Sequence, residues 1–78
     1  MKSYCDIKYV YSVYELLRDK WYIMVYYRHP DGKRGGLCRF LDELDGPRCV
    51  EKVYGSCYKA QKRLDSMAML CGWDVYKE

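Results

Sequence analysis

The sequence holds one histidine, one phenylalanine and two prolines, and no apolar run approaching the roughly 20 residues that a membrane-spanning helix needs. A single imidazole, His29, excludes histidine-rich metal centres and leaves one base of that type, with no serine beside it to act as a nucleophile. Five cysteines (Cys5, Cys38, Cys49, Cys57 and Cys71) make an odd count without any C-x-x-C spacing, and the nearest pair is Cys49 with Cys57. That pattern argues against both a disulfide framework and a zinc site, and it fits a reducing cytosol. Nothing before the first strand reads as a signal peptide, so the expectation is a soluble protein in the cytoplasm of a host cell. The glycine-rich run GKRGG lacks the following Lys-Ser/Thr and the helix that a phosphate-cradling loop requires. Repeats, low-complexity tracts and linkers are missing too, which leaves residues 1–78 as one domain.

Aromatic residues are plentiful, with ten tyrosines and two tryptophans beside the lone phenylalanine. A chain this short buries only about 60–65% of the surface that its unfolded form exposes, so bulky rings supply core volume that length does not. Tyrosine also keeps a hydroxyl that seeks water or a partner, which suits rings that reach the surface. The formal charge is +3, and residues 26–40 carry the whole excess: Arg28, Lys33, Arg34 and Arg39 stand against Asp31 alone. Asp42, Glu43 and Asp45 follow directly, as a short acidic patch. Separated patches of opposite sign suit a binding surface better than a general nucleic-acid coat.

Residues 4–13 alternate as one strand, with Cys5, Ile7, Tyr9, Tyr11 and Val13 as the expected core face. Residues 14–19 read either as a helical turn or as a connection. Lys20–Arg28 forms the central strand, and His29-Pro30-Asp31-Gly32 is a turn signal that returns the chain as Lys33–Phe40, where Gly35 and Gly36 mark a bulge or a close approach. Residues 41–47 form an acidic connection, and Arg48–Tyr54 reads as a fourth short strand. A helix is expected over 56–71, capped by Ser56 and closed by Gly72, with Cys57, Ala60, Leu64, Met67, Ala68 and Cys71 along one face and Met69 off that stripe. Trp73–Tyr76 is a last strand or a docked tail anchored by Trp73. The fold class is therefore α+β, a small antiparallel sheet of three to five strands with one main C-terminal helix on one face.

The central strand carries the functional expectation. Trp21, Ile23, Val25 and Tyr27 point one way and Tyr22, Met24, Tyr26 and Arg28 the other, so the strand is apolar on both faces and needs two covers. One helix covers one face. The second face, with Tyr22, Met24 and Tyr26 flanked by Tyr4 and Lys8, is then open for a partner. Together with the basic tip of Arg28, Lys33, Arg34 and Arg39, it makes the candidate partner-binding surface, in which tyrosine, methionine and arginine are the residue types enriched at protein interfaces. Three occupants suit it: a larger host protein or nucleoprotein complex, a nucleic acid stacked on the rings and held by its phosphates, or a second copy of the chain as a homodimer. No residue set supports an enzyme, a cofactor or a metal.

The closing pattern GSCYKAQKRLDSMAMLCGWDVY, a helix followed by Gly, Trp and a short strand, resembles the ending of many small phage proteins. In format the chain resembles the accessory proteins of bacteriophages and mobile elements, among them the anti-CRISPR inhibitors. That resemblance implies a non-enzymatic protein that binds a host defence nuclease or effector and blocks it by occlusion.

Overall fold

The computed structural model describes residues 1–41 and 53–77. They form a five-stranded antiparallel sheet with one helix packed on it. The elements are β1 (Ser3–Cys5), β2 (Tyr9–Leu17), β3 (Lys20–Arg28), β4 (Arg34–Phe40), α1 (Cys57–Cys71) and β5 (Asp74–Tyr76), with the sheet ordered β4-β3-β2-β1-β5. The α+β architecture expected from the pattern is what the chain adopts.

The stretch expected as one strand over 4–13 is instead a hairpin. Asp6 breaks it: its Oδ1 accepts hydrogen bonds from Lys8 N at 2.8 Å and Tyr9 N at 2.7 Å, and its own N–H donates to Tyr9 O. An aspartate that bonds the backbone two and three residues ahead offers the chain a turn in place of extension. The turn reverses the alternation, placing Tyr4 opposite Tyr11 and Cys5 opposite Val10. Tyr4 thus shares the helix face, Cys5 moves to the far face, and Ile7 projects from the turn at 91% exposure. Residues 14–19 hold no helix. There β2 runs on to Leu17, and Arg18-Asp19 turns the chain back, with Leu17 opposite Lys20 and Asp19 at φ +60°.

Helix α1 keeps its expected bounds. Ser56 Oγ accepts from Lys59 N, and Gly72 closes the helix in the left-handed conformation with its N–H on Ala68 O. Ala60, Leu64, Met67 and Ala68 are buried against Tyr4, Tyr11, Val13, Ile23, Val25 and Leu41. Cys71, expected on that stripe, is exposed, and Met69 lies outside it at 85% exposure. Beyond Gly72 the Trp73 ring stacks on Tyr11, centroids 3.7 Å apart and planes 7° from parallel, which steers the tail into β5 alongside β1. Of the expected strand over 48–54, residues 48–52 lie outside the described residues; Tyr54 makes a two-bond bridge to Trp21. The acidic residues 42–45 and Cys49 also lie outside them. No helix among the described residues is long and apolar enough to cross a membrane.

The face turned away from α1 was expected to be open, and it is not. Val10 is fully buried, and Cys5, Ser12, Tyr22 and Met24 are each at most 6% exposed. Large side chains of the face itself lie over it: Tyr26 Oη donates to Met24 Sδ, the Arg34 guanidinium sits 4.8 Å above the Tyr26 ring, and Phe40 packs on Tyr22 at 5.2 Å. The sheet also curls, because Arg34 on one edge strand and Tyr76 on the other line the same concavity. Right-handed twist accumulates over five strands, and bulges in β4 sharpen it. Tyr22 and Met24 are therefore second-core residues and not contact residues.

Two tyrosine hydroxyls tie the sheet to carboxylates. Tyr4 Oη donates to Asp65 Oδ1 on α1, and Tyr11 Oη donates to Asp6 Oδ2, each at 2.6 Å. Burial, reinforced by the neighbouring carboxylate, pushes Tyr4 up to about 12 and Tyr11 higher still. At Asp6 burial pushes upward, but the Tyr11 hydroxyl, the two backbone N–H groups and Arg28 outweigh it and hold the carboxyl below its ordinary value; at Asp65 the Tyr4 hydroxyl leads the same effect. The unfolded tyrosines release their protons near pH 10 while the folded ones hold them, so this stability is complete below about pH 10 and is lost as pH rises toward 12. Urea midpoints are expected to stay level from pH 6 to 9 and then fall steeply; in Tyr4→Phe the alkaline fall is expected to be shallower. A midpoint unchanged at pH 11 contradicts the assignment.

Candidate functional site: a basic groove between the sheet edges

The β3–β4 hairpin is built as its sequence dictates. Gly32 N donates to His29 O at 2.8 Å and His29 N to Lys33 O at 2.9 Å, Gly32 takes φ +88°, and Asp31 Oδ1 accepts from Lys33 N. This is a three-residue loop with glycine at the left-handed position. In β4 the register slips twice. Tyr26 faces Leu37 and Arg28 faces Arg34, so Gly35 and Gly36 together span Tyr27, and Cys38 is extra between Leu37 and Arg39. Gly35 is closely approached: a Cβ there would stand 2.9 Å from His29 Nε2 and 3.1 Å from Tyr27 O. The sole imidazole thus packs on a backbone, and Cys38 is a hydrogen-bond partner of Tyr27, whose hydroxyl is pushed up by that bond first.

The curl and the bulges bring Arg28, Lys33 and Arg34 to one groove with Tyr76 and Lys77 from the opposite edge of the sheet, over Cys5 at its base. Asp31 is the one carboxylate in this described lining. A second groove continues from it, sharing Arg34 and Tyr76 and adding Lys2, Ser3, Ser12 and Tyr14. The Ser3 and Ser12 hydroxyls pair at 2.8 Å in its floor. Arg28 is aimed by Asp6, whose backbone O accepts from Arg28 Nη1 at 2.8 Å. Arg28 stands directly opposite Arg34, and Lys8 lies next in line through the bond from Arg28 N to Lys8 O. The Asp6 carboxyl, held below its ordinary value in part by Arg28, tempers the charge at this point of the rim.

Of the residues singled out in the sequence, the structure gathers Arg28, Lys33 and Arg34. Tyr26 supports Arg34 from below, half-buried, while Tyr22 and Met24 are sealed beneath. Arg39 does not join them: it stands opposite Val25, on the face that carries α1. Tyr76 and Lys77 were missed. Their only sequence signal is the strand-like tail after Gly72, which reveals nothing about which edge it approaches. Among the described residues no three potential metal ligands cluster.

No family model matches the chain, and no curated protein or solved structure matches it either.

Proposed function

We propose that this chain is a non-catalytic binding module that seats its basic groove on the anionic surface of a larger host protein or nucleoprotein, and that it acts by covering that surface, as small phage-encoded inhibitors of the anti-CRISPR kind do. The observation that carries this reading is the convergence of Arg28, Lys33, Arg34 and Lys77, from opposite edges of the sheet, around one groove with Asp31 as the opposing carboxylate. Cations focused in a concave site accelerate encounter with an anionic partner and fix its orientation. With Tyr22 and Met24 buried, the groove takes over the role that the open aromatic face held in the sequence reading.

The test is affinity capture from host lysate with the wild-type chain and with the Lys33→Glu/Lys77→Glu variant, with and without nuclease. Both lysines are exposed, so the variant is expected to fold normally. The wild type is expected to retain a defined partner that the variant loses. Identical captured sets from both proteins contradict the reading.

A further inference from the structure

We infer that the groove and its continuation form a track for single-stranded nucleic acid, with the cations on phosphates and the tyrosines against bases. This rests on the binding-module reading and names the chemistry of the partner surface. The two grooves are confluent at Arg34 and Tyr76. Lys33, Arg28 and Lys77 border one part, and Lys2 borders the other. Tyr14, 53% exposed, lines the second groove beside Lys2, and the half-buried Tyr76 lines both. Cations and tyrosine rings lining one channel make the arrangement that holds single strands without reading sequence, because every base offers a face to stack and every phosphate a charge. A duplex presents no unstacked bases to such rings. An acidic peptide answers the lysines but has no use for the two tyrosines. Protein and nucleic acid are thus separable by experiment.

The probes are fluorescein-labelled oligo(dT) and oligo(rU), each roughly 15 nucleotides long, and a hexaglutamate peptide, measured by fluorescence anisotropy with the purified full chain. Four phosphates neutralised predict a loss of affinity of about 50-fold between 50 and 200 mM salt, and about 7-fold for Lys33→Ala/Lys77→Ala, where two remain. Tyr14→Ala, at an exposed position, is expected to weaken oligonucleotide binding roughly 5-fold or more while leaving the salt dependence unchanged. Binding of both oligonucleotides with these slopes, and a much weaker response to hexaglutamate, supports the inference. Absence of oligonucleotide binding at 50 mM salt, an affinity for hexaglutamate equal to that for the oligonucleotides, or a salt slope unaltered in the double-lysine variant overturns it. Far-UV circular dichroism of each variant separates lost binding from lost fold. If capture from lysate survives nuclease while neither oligonucleotide binds, the inference fails and the binding-module reading stands; if capture is insensitive to charge reversal, the broader reading fails.

Discussion

Replacing Met24 by lysine is expected to cost about 4 kcal/mol or more, enough to leave much of the population unfolded at neutral pH. Met24 is 5% exposed, with Tyr26 Oη on its sulfur, Arg34 above that ring, and fully buried Val10 on the same face. An ammonium placed there must either shed its proton or be buried without a partner, and both are expensive beside the marginal stability of a small domain. Leu37→Lys provides the control. It lies on the same face opposite Tyr26 but is 48% exposed, and its change is expected to stay within about 0.5 kcal/mol. Urea denaturation of both variants decides the matter. A wild-type midpoint for Met24→Lys means that the far face is open to water and that the curl described above is wrong.

Leu64→Ala is expected to destabilise the chain by about 3 kcal/mol and to lower Tm by more than about 10 °C. Leu64 is fully buried at the centre of α1, packed with Ile23, Val25 and Met67, and these too are fully buried. Truncation leaves a cavity between two rigid layers that cannot close on it. Leu70→Ala, further along the same helix at 77% exposure, is expected to change stability by less than about 0.5 kcal/mol. Equal effects from the two substitutions contradict the packing face assigned to the helix. Thermal unfolding followed by circular dichroism measures both.

The helix was legible because three local signals agree: a serine cap, apolar residues at helical spacing, and glycine at the left-handed stop. The β3–β4 hairpin was equally legible, since Pro-Asp-Gly and the two following glycines fix a tight turn and a bulged return strand. Alternation failed where one side chain changed the chain direction. Asp6 forms its turn through hydrogen bonds that a period-two pattern does not register, and one reversal carried Tyr4 and Cys5 to opposite faces from those expected. The far face was misjudged for a different reason. Counting helices against sheet faces treats a sheet as flat, whereas this one curls until its outer strands border one groove. Three of the four basic residues at the tip, Arg28, Lys33 and Arg34, line that groove, while Arg39 went to the helix face by the register slip at Cys38. Tyr76 and Lys77 joined the site because both edges of the curled sheet border one groove, a long-range arrangement that no local pattern encodes.

The most direct test follows backbone amides by 15N–1H correlation spectroscopy while a single-stranded oligonucleotide is titrated into the full chain. Shifts at Gly32–Arg34 and at Val75–Lys77 are expected to saturate together along one isotherm, since both segments border a common site. Shifts confined to the hairpin tip, or two segments saturating at different concentrations, contradict a groove formed by the meeting of the sheet's opposite edges.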